Sequence, residues 1–248
     1  MGKTLMAAKS AVVVGVGPPR GLGAAIARRF AGAGLRTTIM GRSADKVDAA
    51  LQDLRQLGAD ADAVIGDVTD EALVRKVVFE ADRADAPLDA AVFNAGGNWP
   101  QSFLNMDGAF LENMWRVNVL AGFYFAKAAI EAMLPRKQGV LIFTGASASL
   151  RGKANFGGFA QAKAALRALA QSAAREFGPQ GIHVAHVVVD GAIDGDRINT
   201  FLPQLKAAKG EAGLLDPDDI ADNYWTLYSQ PRSAWTHEID LRPWVETW

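Results

Sequence analysis

The residues that stand out for chemistry are Gly17-Pro-Pro-Arg-Gly21-Leu-Gly23, a glycine-rich turn of the kind that lets a backbone approach a phosphate. The turn follows the apolar, β-branched run Ala11-Val-Val-Val-Gly15 and leads straight into a helical pattern beginning at Leu22. A helix start in that place offers free N–H groups and the positive end of its dipole to an anion. Asp67-Val68, at the end of a later run, places a carboxylate where it can accept from an adenine amino group. Asn94-Ala95-Gly96, at the end of another, leaves room for a ribose and a nicotinamide. Arg20 and Arg42 bring guanidinium groups to the same end of the pattern, and guanidinium binds phosphate with charge-assisted, often bidentate bonds. A plain tight turn accounts for the glycines alone, and two solvated surface arginines account for the charges alone. Neither accounts for so many run ends suited to one extended dinucleotide.

Other chemistries find less support. The chain has no cysteine, so thiol nucleophiles, disulfides and zinc–thiolate sites are excluded. His183 and His186 lie three apart on an apolar run that reads as a buried strand, which sends them to opposite faces; they look like neither a metal pair nor part of a Ser-His triad. Asp216-Pro-Asp-Asp219 reads as a helix start, with Asp216 as N-cap and Pro217 at the first helical position, rather than as a metal site. No metal is expected.

These residues have to be held by an alternation of short apolar runs and longer amphipathic stretches. Strands are predicted at 11–15, 37–40, 63–65, 88–93, 140–144 and 183–189, with helices at about 21–33, 43–57, 70–84, 107–134 and 155–177. Strands apolar on both faces, separated by helices, define a doubly wound parallel sheet of Rossmann type, with ligands at the carboxyl ends of its strands. One such domain is expected over 1–248, with a substrate loop at about 194–213 and a tail at about 230–248.

Composition agrees. The 248 residues are 50% hydrophobic, and 26 basic side chains nearly cancel 27 acidic ones. With neither sign dominating, nucleic acid and anionic membrane are not expected as partners. The first ten residues carry Lys3 and Lys9 but no apolar stretch of signal-peptide length, so a cytoplasmic protein acting on a small molecule is expected.

Taken together the motifs resemble the short-chain dehydrogenase/reductase family over nearly the whole chain. Three residues separate Gly17 from Gly21, as in the family's glycine motif; Asn94-Ala95-Gly96 matches its strand-four motif, Asn118 its helix asparagine, and Lys163 its lysine. The resemblance implies an NAD(P)(H)-dependent oxidoreductase forming a homodimer or homotetramer through its long alanine-rich helices. It implies cofactor contacts at Gly17, Arg20, Gly21, Leu22, Gly23, Arg42, Asp67, Val68, Asn94, Ala95, Gly96, Lys163 and Ile193. Family members that prefer NAD usually carry an aspartate where this chain has Arg42, and Arg20 is the family's other basic position for a 2′-phosphate. NADP(H) is therefore expected over NAD(H).

The catalytic set departs from the family. Its tyrosine, four residues before the lysine, is Phe159 here, and its serine, thirteen residues earlier still, is Ala146. Ser147 is near enough to supply a hydroxyl, but the chain's three tyrosines, Tyr124, Tyr224 and Tyr228, are all distant in sequence from Lys163. Asp190, in Val189-Asp190-Gly191 after the sixth strand, is a candidate replacement donor or a turn residue. The candidate catalytic residues are thus Asn118, Ser147, Phe159 and Lys163. Two functions follow: an oxidoreductase with a non-standard proton donor, or a catalytically weakened dinucleotide-binding protein with a sensing or scaffolding role.

Overall fold

The computed structural model describes residues 8–247; Lys3, the rest of the first seven residues and Trp248 lie outside the described residues. The first half of the chain alternates β1 (Ser10–Val14), α1 (Leu22–Gly32), β2 (Arg36–Gly41), α2 (Ala44–Gln56), β3 (Ala61–Ile65), α3 (Glu71–Ala81) and β4 (Leu88–Phe93). The second half adds α4 (Gly108–Trp115), a π turn at Arg116–Leu120, α5 (Ala121–Met133), β5 (Gly139–Thr144), α6 (Gly157–Phe177) and β6 (Ile182–Val189). Short helices α7 (Asp196–Phe201) and α8 (Pro203–Lys209) precede α9 (Pro217–Tyr228) and β7 (Glu238–Leu241). All seven strands form one parallel sheet in the order β3-β2-β1-β4-β5-β6-β7.

Burial on both faces explains the nearly continuous apolar strands. Along β1, Ala11 and Val13 pack under α1, α2 and α9, while Val12 and Val14 pack under α3 and α5. The order reverses between β1 and β4, which opens a cleft at their carboxyl ends, the place where doubly wound sheets bind ligands. Asp70, Asp107 and Asp216 cap the starts of α3, α4 and α9 by accepting backbone N–H bonds from Leu73, Phe110 and Asp218. The expected cap at Asp216 is therefore present.

The helix expected across 107–134 is present, running on from Gly108 to Met133 through a π turn at Arg116–Leu120, the turn that carries Asn118. Two expectations need correction. The segment at 194–213 contains α7 and α8. The tail adds a seventh strand that four alternating residues, Glu238-Ile-Asp-Leu241, did not announce. The run from Gly108 to Arg136 is long and apolar enough to cross a bilayer, but most of it is buried inside this fold.

Candidate active site

The glycine-rich turn joins β1 to α1. Gly15 N–H and Val16 N–H both donate to Met40 O of β2, and Asn94 Nδ2 donates to Gly15 O at 3.1 Å, drawing the ends of β1, β2 and β4 together. The start of α1 has neither a capping side chain nor an acidic residue in its first turn. Its N–H groups and dipole are thus left for an anion from elsewhere, as dinucleotide-binding turns require. Gly17 has open space where a side chain would stand, and Leu22 is buried beneath the turn.

At the β2 and β3 ends, Arg42 is largely exposed and its guanidinium lies 3.9 Å from Asp67. Burial works against ionisation of Asp67, but hydrogen bonds from Thr69 and the charge of Arg42 hold its carboxyl below the usual range. Val68 is buried beside it. The Arg20 guanidinium donates to Asp194 O at 3.4 Å. Ile193 pairs with Leu215 through a parallel bridge, which fixes the segment after β6.

Asn118 and Lys163 come together around Gly96. A Cβ on Gly96 would lie 2.8 Å from Asn118 Oδ1 and 3.3 Å from Lys163 Nζ, so glycine alone keeps this space open. The π turn gives Asn118 its place: its Nδ2 donates to Met114 O at 2.9 Å, while its Oδ1 is buried with no hydrogen-bond partner. Widened turns of this sort occur frequently at functional positions. Lys163 is only 5% exposed, and its Nζ donates to Thr144 O at 2.8 Å. Burial pushes its pKa down to about 8, because the charged form loses hydration.

The half-buried Phe159 ring lies one turn before Lys163, its centroid 5.8 Å from Nζ. Ala146 and Ser147 are also half-buried, at the end of β5. No tyrosine takes the phenol's place beside the lysine. Tyr224 OH lies beneath the site, bound to Thr144 Oγ1 at 2.7 Å, and burial raises its pKa. Asp190 is 3% exposed, and both its oxygens accept from Arg151 at 2.9 Å. Asp190, at the turn after β6, thereby anchors an ion pair between the β5 and β6 loops.

The two histidines do point to opposite faces, but one has a setting the sequence did not reveal. His183 stacks on Trp235 with ring centroids 4.9 Å apart. His186 lies between Ser149 Oγ, 3.4 Å from Nε2, and Glu238 Oε2, 2.9 Å from Nδ1, and Glu238 in turn accepts two bonds from Arg167. His186, expected to belong to no Ser-His triad, is thus flanked by a serine and a carboxylate in a buried file. Since the carboxylate can only accept, Nδ1–H donates to Glu238 and Nε2 accepts from Ser149. Ser149 Oγ also accepts from Ala146 N–H, so the file braces the turn beside the site.

Burial holds His186 down to about 4, against the opposing pull of Glu238. Histidine in the unfolded chain titrates near 6.5, so between these values the unfolded state binds more protons and stability falls as pH falls. Glu238, held below its usual range chiefly by Arg167, adds a loss of the same sign at lower pH. Urea unfolding should therefore show a loss of about 2 kcal/mol between about pH 7 and 4.5 from His186. Equal stability at the two values would contradict this reading.

Residues 9–202 match the short chain dehydrogenase family model, and the chain belongs to that family of NAD(P)-binding oxidoreductases. It is similar to the crystal structure of a short-chain dehydrogenase from Rhodopseudomonas palustris, at 35% identity and a TM-score of 0.80, covering 96% of this chain and 100% of that one. A metagenomic short-chain oxidoreductase in complex with NADP is 26% identical, with a TM-score of 0.79 over 95% of this chain and 97% of the other. A 7α-hydroxysteroid dehydrogenase complexed with NADH and 7-oxo glycochenodeoxycholic acid is also 26% identical, with a TM-score of 0.85 over 95% and 93%.

Proposed function

We propose that this protein is a cytoplasmic NADP(H)-dependent oxidoreductase acting on a small organic substrate, with Lys163 taking over the proton transfer that a tyrosine would perform. The observation that carries this reading is the buried pair of Lys163 Nζ and the unpartnered Asn118 Oδ1, both facing the space kept open by Gly96. These residues fit a nicotinamide nucleotide laid from the glycine-rich turn across the ends of β1 and β4. When bound, that nucleotide supplies or accepts a hydride.

The residues of the chain do the rest. The α1 start and the glycine turn would hold the pyrophosphate, Asp67 the adenine, and Asn94, Ala95 and Gly96 the ribose and nicotinamide. During reduction, the Lys163 ammonium gives a proton to the substrate oxygen and becomes an amine, which solvent reprotonates; oxidation runs the reverse. A pKa of about 8 suits both directions, because an acid–base group works best when its pKa is near the working pH. Phe159 sets an apolar ring near the lysine, and Trp99, on the loop after β4, and the exposed Phe201, at the end of α7, suit an apolar substrate.

Cofactor preference provides the test. Arg42 replaces the aspartate that resemblance associates with NAD, and its exposed guanidinium, held only at 3.9 Å from Asp67, would turn toward a 2′-phosphate. Arg42→Ala should weaken NADPH about tenfold or more while leaving NADH nearly unchanged, as expected for one charge-assisted bond. Equal affinities of the unaltered protein for NADPH and NADH would defeat the assignment. The half-exposed apolar residues Leu111 and Trp115 of α4 and Phe123 of α5 further support assembly through these helices. Light scattering at micromolar concentration should give a dimer or tetramer; a monomer alone would refute that part.

A further inference from the structure

The segment between β6 and α8 lies directly on the glycine-rich turn, and it brings acid to a place built for anions. Asp196 Oδ2 accepts from Arg20 N–H at 3.4 Å. Gly195 makes the approach possible: a Cβ there would lie 2.4 Å from Arg20 O. The contact is pinned on both sides. Arg20 Nη2 binds Asp194 O, and Lys206 Nζ and Asn199 Nδ2 hold the Asp194 carboxylate at 2.6 and 3.0 Å. Across the cleft, Arg197 Nη2 donates to Asn98 O at 3.1 Å, on the loop after β4. The strap therefore runs from the β1 end to the β4 end, over the path a dinucleotide would take.

We propose that Asp196 sets the affinity of the nucleotide site, competing as a tethered anion with nucleotide phosphate for the N–H groups of the glycine-rich turn. The inference rests on the nucleotide reading above. Carboxylate and phosphate seek the same donors at a helix start, and two anions at contact distance repel, so the strap must shift for the nucleotide to enter. Glycine at 195 lets the competitor reach the turn, while Arg20 and Lys206 keep it in range. Nucleotide binding then releases the Asp196 contact and frees Arg20 N–H for phosphate.

The test is NADPH and NADH titration of the whole chain, followed by nicotinamide fluorescence, in wild type, Asp196→Asn and Gly195→Ala. Asp196→Asn keeps the side-chain shape and removes the charge; it should bind NADPH about tenfold more tightly. That gain should shrink between about 0.02 M and about 0.5 M salt, because charge repulsion is screened. Gly195→Ala pushes the strap off Arg20 O without changing any charge, and should also tighten binding severalfold. It keeps the proposal testable if the asparagine variant folds poorly. Wild type binding NADPH with both variants unchanged or weaker overturns the inference and leaves the nucleotide reading standing. If no protein binds either nucleotide, the nucleotide reading falls and the inference with it.

Discussion

Phe159→Tyr combined with Ala146→Ser is expected to raise NADPH-dependent reduction of a simple ketone by about tenfold or more, the usual worth of a positioned general acid. Phe159 and tyrosine differ by one hydroxyl, and the ring is only half-buried. One helical turn separates this position from Lys163, and the ring centroid is already 5.8 Å from Nζ. The ammonium would favour the ionised phenol and so make it an able proton carrier. A serine at Ala146 would stand at the end of β5, on the turn braced by Ser149 and His186. If Phe159 instead packs against the natural substrate, the same double variant should lower the native reaction. No ketone reduction, with the fold and NADPH binding intact, would rule out a frame that lacks only its customary donor.

Lys163→Met is expected to lower turnover by about 10² to 10⁴, the range for removal of a proton-transfer group. In the wild type, kcat/KM for reduction should be flat at neutral pH and fall as pH rises through about 8, where burial places the lysine. Oxidation should show the opposite limb, rising to a plateau above the same value. Because the resemblance also gives this lysine a contact with the cofactor ribose, NADPH affinity has to be measured alongside. A loss confined to nucleotide affinity, with kcat and its pH limb intact, would assign Lys163 to positioning and not to proton transfer.

Much of the fold is legible in the sequence, for physical reasons that also explain what is not. Strands buried on both faces must be apolar throughout, so β1, β4 and β6 announced themselves, and with them the residues at their carboxyl ends. Lys163 and Phe159 share one helix, where four residues is one turn, so their neighbourhood followed from spacing. Edge strand β7 is short, and its acids Glu238 and Asp240 interrupt the apolar pattern, so nothing marked it. The file from Ser149 through His186 to Glu238 joins residues 37 and 52 apart in sequence, and β7 had to exist before it could be seen. The π turn at Asn118 depends on one shifted hydrogen-bond step that helical periodicity does not register. The ion pair of Asp190 with Arg151 is not legible in the sequence, since it forms only through the packing of two loops.

The proposal that the protein is an active NADP(H)-dependent oxidoreductase is tested most directly by deuteride transfer. Wild-type protein is incubated with NADPH deuterated at nicotinamide C4 and a panel of ketones, imines and enoyl compounds, and products are weighed by mass spectrometry. The expected result is a reduced product carrying one deuterium, formed faster with NADPH than with NADH and lost in Lys163→Met. Tight NADPH binding with no deuterium transferred to any member of the panel would contradict it, and would favour a nucleotide-binding role without turnover.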